Sequence, residues 1–132
     1  MADYPFQFQL THTVQTHHLD DMNHVNNVVY IQWVQDVAKA HWLQVGGDLL
    51  NKYVWVALRH EIDYLFPAVL HDQVELLTWV GKAEGARFER FIVVRHASSL
   101  REFAKAKTVW CMLDATSHKP RRITDEIQNV FK

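Results

Sequence analysis

Residues 6–17 alternate, with Phe6, Phe8, Leu10, His12 and Val14 on one face and Gln7, Gln9, Thr11, Thr13 and Gln15 on the other. A period of two predicts a half-buried strand. The next stretch, His17 to Asn27, is polar and rich in Asp and Asn, so it reads as a loop running into a helix. From about Val25 to Val45 the period lengthens. Val28, Ile31, Val34, Ala38, Trp42 and Val45 recur at steps of three and four, and Tyr30, Trp33, Val37 and His41 widen the stripe. The polar residues Gln32, Gln35, Asp36 and Lys39 fall on one narrow face. This pattern predicts a helix covered on most sides, stopped by Gly46-Gly47.

Strands follow. Val54, Val56, Leu58, His60, Ile62, Tyr64 and Phe66 form one alternating face up to Pro67, with Arg59, Glu61 and Asp63 opposite. Residues 72–83, 87–97 and 102–114, rich in Val, Thr, Trp and Phe, predict three more strands. Gly85 and Ser98-Ser99 mark the turns between them, and Thr124 is placed to cap a short helical tail, Thr124 to Phe131. Short turns force the last strands to be antiparallel neighbours. The expected architecture is a single α+β domain over residues 1–132, a long central helix wrapped by a curved antiparallel sheet. Open sheet edges predict pairing with a second copy, as a homodimer or homotetramer.

Composition narrows the function classes. The chain has 132 residues, the size of one domain, and a net charge of -1, so no global basic balance points to nucleic acid. Cys111 is the only cysteine, which excludes a disulfide framework and a thiolate zinc site. No apolar run approaches the ~20 residues of a membrane span. Met1 to Pro5 lacks the basic-then-apolar layout of a signal peptide, so a cytoplasmic protein is expected.

The densest reactive cluster is His17-His18-Leu19-Asp20-Asp21-Met22-Asn23-His24-Val25-Asn26-Asn27, just before the helix. A helix N-terminus offers unpaired N–H groups and a partial positive charge, which polarise a carbonyl or hold an oxyanion. A carboxylate beside it, such as Asp20, can attack that carbonyl or deprotonate a water that does. Plain capping by Asn23 or Asn26 explains the same residues, and chemistry alone favours it. A metal site built from His17, His18, Asp20 and His24 is a third reading, disfavoured because strand alternation sends His17 and His18 to opposite faces.

The run HLDDMNHVNNVVYIQW, His18 to Trp33, resembles the signature segment of hotdog-fold acyl-CoA thioesterases. The likeness is to the 4-hydroxybenzoyl-CoA thioesterase superfamily, most closely to long-chain acyl-CoA thioesterases of the FadM/YbgC type. Plant acyl-ACP thioesterases share a similar Leu-Asp-x-x-x-His-Val-Asn-Asn run. Ile62-Asp63-Tyr64 through Asp72, and Thr108-Val109-Trp110, resemble later strands of the same proteins, so the likeness covers nearly the whole chain. It implies a hotdog fold and thioester hydrolysis with no metal or other cofactor. Asp20 then stands at the catalytic carboxylate position. Asn27 stands at the helix N-terminal position whose backbone N–H polarises the thioester carbonyl. His24 is a candidate helper, because the corresponding histidine of the acyl-ACP enzymes has a catalytic part. Glu61 matches an acidic residue on the second strand of some relatives. Two departures stand out. His18 replaces a second Asp found in many members, as in the long-chain subgroup, which favours a fatty acyl substrate over an aromatic one. Asn23 replaces a common Gly, and Asn tolerates the left-handed backbone such a turn needs.

Together these residues predict hydrolysis of a medium- to long-chain acyl-CoA, or an acyl carrier protein thioester, to free acid and thiol. The carbonyl is expected over the first helical turn at Asn26-Asn27, with Asp20 activating water or forming an acyl anhydride. Among the remaining residues, Tyr30 and the helix tryptophans read mainly as core, with some available to line an acyl channel. Arg59, Lys82, Arg87, Arg90, Lys105 and Lys107 are candidates for the phosphates of coenzyme A, and Glu61 reads more simply as a solvated or ion-paired strand residue. Cys111 reads as a packing residue. Two rivals remain: a hotdog enoyl-thioester hydratase or dehydratase using Asp20 with His24, and a silent acyl-thioester-binding module.

Overall fold

The two-residue period at the N-terminus is realised as β1, Phe8–Thr13, shorter than the alternation suggested. A computed structural model describes residues 4–132; Met1 to Asp3, the head of the segment weighed as a signal peptide, lie outside the described residues. After β1 the chain tightens into a 3-10 turn, Thr16–His18, in which the His18 imidazole Nδ1 accepts the Gln15 N–H at 2.9 Å. That turn corrects the expectation for His17 and His18. They do not alternate across a strand, and their ring centroids lie 4.2 Å apart.

The long helix α1 spans Asn27–Val45 and starts two residues later than its apolar stripe. Val25 is buried instead as part of the loop, donating its N–H to the Ala68 carbonyl at 2.9 Å. Gly46 still has right-handed helical angles; Gly47, at φ 51°, makes the left-handed exit that a side chain would oppose. A 3-10 segment, Gly47–Asn51, leads into β2 (Tyr53–Tyr64), followed by β3 (Gln73–Glu84), β4 (Arg87–His96), β5 (Glu102–Asp114) and the short α2 (Asp125–Asn129). Thr124 caps α2 as expected, accepting from the Ile127 N–H.

The strands form one antiparallel sheet in the order β1-β3-β4-β5-β2. Together with α1 this is the hotdog architecture. The single apolar face expected along β2 is a second point of correction. A register shift against β5 between Ala57 and Arg59 leaves Leu58 as an extra residue, and an extra residue inverts the side-chain phase. Before the bulge Tyr53 and Trp55 pack on the core while Val54, Val56 and Leu58 stand outside, 39%, 42% and 49% exposed. After it Ile62 packs inward, and Arg59, Glu61 and Asp63 are exposed.

Two apolar clusters line the helix. The N-terminal half of α1 puts Tyr30, Trp33, Val34 and Val37 against Leu76, Ile92, Val94 and Ala104. The C-terminal half puts Trp42 against Phe88, Met112, Ile127 and Phe131, so α2 closes that end. Burial at roughly 25 cal/mol per Å² of apolar surface fixes where the helix tip sits relative to the sheet. Cys111 is buried, as expected, though opposite Val56 and outside both clusters. No helix among the described residues is long and apolar enough to cross a membrane.

Candidate active site

The loop entering α1 closes on itself around Asp20. The Asp20 N–H donates to the His24 carbonyl (2.8 Å), and the Asn23 N–H donates to the Asp20 carbonyl (3.0 Å). The Asp20 carboxylate oxygen Oδ1 accepts from the Met22 N–H at 2.8 Å and the His24 N–H at 3.2 Å. Such a turn needs a left-handed residue, and Asn23 supplies it at φ 60°. One carboxylate oxygen is thus committed to the loop. Among the described residues no protein donor reaches the other, Oδ2.

The tip of α1 lies at the end of the same loop. Asn26 is the cap: its side-chain oxygen accepts the Val28 N–H at 3.0 Å and its carbonyl accepts the Val29 N–H at 2.9 Å. Capping and an open tip therefore coexist, because the cap satisfies the second and third helical N–H groups and not the first. The first belongs to Asn27, and among the described residues it has no acceptor. The helix dipole adds to its partial positive charge. Asn27 and Asn26 are exposed, Asp20 and His24 half-buried.

Tethers hold this junction against the sheet. The Asn26 N–H donates to the His18 carbonyl at 2.9 Å. The Val25 N–H bonds the Ala68 carbonyl at 2.9 Å, and the Ala68 N–H donates to the Tyr30 hydroxyl at 3.2 Å. Tyr30 is buried beneath the tip, which raises its pKa, and its ring meets Trp33 and Tyr64 edge-on. The Tyr64 hydroxyl donates to the Asn27 carbonyl at 3.3 Å. Sequence reasoning did not single out Tyr64 for the tip, although it is the last aromatic on the inward phase of β2. His18 lies edge-on to Trp33, and burial lowers its pKa, as do the neighbouring His17 and His12 to a smaller degree. Its bond from Gln15 to Nδ1 requires the neutral ring with the proton on Nε2.

Asp20, His24, Asn26 and Asn27 are thus brought together, with Tyr30 one turn below. Arg59 and Glu61 are not part of this junction: they pair with each other at 2.6 Å on the exposed face of β2. Among the phosphate candidates, Lys107 is held by Glu89 at 2.9 Å, Lys82 by Glu84 at 3.6 Å and Lys105 by Glu102 at 3.6 Å. Arg90 does not lie on the surface; it is 5% exposed. Alternation along β4 places it in the row Phe88, Arg90, Ile92, Val94, all buried, and that pattern was the overlooked signal. Its Nη1 meets His41 Nδ1 and the Thr78 hydroxyl, each at 2.9 Å. His41 is 1% exposed. Burial, aided by the Arg90 charge, pushes its pKa down to about 4, and burial pushes that of Arg90 down to about 10. Beside them, between α1 and strands β2, β4 and β5, opens a cavity of about 520 Å³ that includes none of the Asp20 loop. Among the described residues no group of three or more His, Cys, Asp or Glu side chains is arranged to hold a metal ion.

The long helix clasped by a five-stranded antiparallel sheet is the hotdog fold. The chain belongs to the thioesterase-like superfamily, whose family pattern matches residues 14–131. Solved structures share the fold at low identity. The 1,4-dihydroxy-2-naphthoyl-CoA thioesterase Slr0204 of Synechocystis is 16% identical, with a TM-score of 0.79 and coverage of 94% of both chains. A thioesterase of Thermus thermophilus, solved with coenzyme A and zinc, is 21% identical, with a TM-score of 0.81 over 96% of this chain and 92% of that one. The 12:0-ACP thioesterase of Umbellularia californica is 17% identical, with a TM-score of 0.76 over 92% of this chain and 51% of the plant one. No curated protein matches the chain by sequence.

Proposed function

We propose that the chain hydrolyses fatty acyl-CoA thioesters of medium to long chain length, with Asp20 and the Asn27 N–H as the reacting pair. The observation that carries this reading is the unpaired Asn27 N–H at the tip of α1, reached by a closed loop that leaves Asp20 Oδ2 without a protein donor. The thioester carbonyl oxygen accepts from Asn27, so charge building on it meets a fixed donor; one such donor is worth ~2.7–4 kcal/mol. Asp20 takes a proton from water as the water oxygen adds to the carbonyl carbon. The C–S bond then breaks, and the thiolate leaves and is protonated. In the covalent variant Asp20 itself adds, the thiolate leaves and water opens the anhydride; oxygen-18 entering Asp20 from labelled water in a single turnover identifies that route.

Coenzyme A as the carrier is supported by the Thermus relative, which holds it. A fatty acyl group is supported by His18, the residue of the long-chain subgroup at this position. His24 reaches Asp20 through its backbone N–H, which supports a part in fixing the carboxylate. The assay is free-thiol release from acyl-CoAs of graded length, run beside water addition to an enoyl-CoA. Thiol release with a maximum at medium or long chains is expected. Hydration without thiol release overturns the reading in favour of a hydratase, and binding without either reaction in favour of a silent module.

The active form is proposed to be a homodimer, or a homotetramer built from two such dimers, joined along β2. That strand ends the sheet order and exposes Val54, Val56 and Leu58, a combination that invites pairing. Sedimentation of the active enzyme should give at least twice the chain mass. A fully active monomer would contradict it.

A further inference from the structure

The cavity beside Arg90 is walled by Trp42, Trp55, Phe88, Trp110 and Phe131, with Gln35 and Lys39 of α1 also lining it. Its buried charged group, Arg90, is a donor with too few acceptors. Arg90 contacts only neutral groups, namely His41, Thr78 and the Phe131 ring at 5.5 Å. Among the described residues no carboxylate pairs with it, and its Nε and Nη2 have no protein acceptor. Two carboxylates do line the cavity, and both are engaged: Asp36 accepts from the Gln32 amide, and Glu89 is held by Lys107 and the Lys82 N–H. A cation this deep without an anion is a costly arrangement that an incoming carboxylate relieves.

We infer that this cavity is a binding site for an apolar molecule ending in a carboxylate, its tail against the aromatic walls and its oxygens on the free Nε and Nη2 of Arg90. The inference goes beyond thioester hydrolysis and does not depend on it, since the lining excludes Asp20 and Asn27. Two sources carry this chemistry: a free fatty acid, and the far end of a dicarboxylic acyl group still joined to its thiol.

The test is calorimetric binding to the full chain carrying Asp20→Asn, so that nothing is hydrolysed. Decanoate should bind, one molecule per chain, at least ~10-fold tighter than decan-1-ol, the difference a hydrogen-bonded charge provides. Arg90→Met should abolish that preference. Arg90→Gln keeps a donor for His41 and Thr78 and removes the charge, so it serves if the methionine variant fails to fold. It should weaken decanoate at least ~3-fold and leave decan-1-ol unchanged. Equal binding of acid and alcohol, no binding of either, or an acid preference undiminished by loss of the Arg90 charge overturns the inference. The CoA monothioester of decanedioic acid separates the sources. Binding at least ~10-fold tighter than decanoyl-CoA, in competition with decanoate, identifies the dicarboxylic acyl end. Equal binding of the two thioesters, with decanoate still bound, identifies the free acid.

Discussion

Replacing Asp20 with asparagine is expected to lower thioester turnover at least ~10²-fold while leaving the fold intact. The substitution is close to isosteric. The remaining carbonyl oxygen can still accept from the Met22 and His24 N–H groups, so the loop keeps its closure. What changes is Oδ2, which becomes an amide nitrogen that neither takes a proton nor attacks a carbonyl. The loss should fall on kcat, because the group acts at the reacting carbon and not along the acyl chain. Thiol release and a thermal melt on the same sample check both halves. Near-normal turnover with an unchanged melt would remove the role assigned to Asp20.

Acidification is expected to destabilise the protein by about 3 kcal/mol between pH 6.5 and 4 through His41 alone. The imidazole binds a proton with its ordinary affinity when unfolded, but its folded value is pushed down to about 4 by burial and by Arg90. As pH falls through 6.5 the unfolded chain takes up the proton first, so the equilibrium moves towards it. The loss is complete near the folded value, and above 6.5 the stability is fully present. His41 is 1% exposed, so solvent screening takes little from this figure. Urea unfolding across that window measures it. His41→Gln, which can still present an acceptor to Arg90, should flatten the slope without abolishing it, because burial also lowers His18 and His60. A variant with the wild-type slope would show that the acid sensitivity lies elsewhere.

The parts of this structure legible in the sequence are those where one period runs uninterrupted. The α1 stripe is largely such a case: Tyr30, Trp33, Val34, Val37, Ala38, His41 and Trp42 are buried and Gln32, Gln35 and Lys39 are exposed, as the spacing shows, but Val28 of the expected stripe and Leu43 stand outside the packing, 69% and 55% exposed. The loop ahead of the helix is legible too, since Asp, Asn and His crowd there. Its internal bonds are not, because the Asp20–His24 closure depends on the backbone angles of Asn23. The β2 face was misjudged because the extra residue at Leu58 reverses inside and outside midway, and alternation carries no mark of an insertion. The His17–His18 pair was misjudged for a related reason: a 3-10 turn replaces the strand and brings neighbouring rings together. Arg90 was hidden by residue type alone. It occupies the apolar row of β4, but arginine is so often exposed that alternation alone does not mark it as buried.

Ala68 has both of its backbone groups tied, one to Val25 beside the Asp20 loop and the other to Tyr30 under the helix tip. The carboxylate and the helix end are therefore held from below before any ligand arrives. With Asp20 and Asn27 as the proposed reacting pair, such a centre is preorganised, and little reorientation stands between encounter and reaction. Discrimination among thioesters is then expected to rest with the surfaces that deliver the carbonyl to the tip, and not with a closing movement that assembles the machinery.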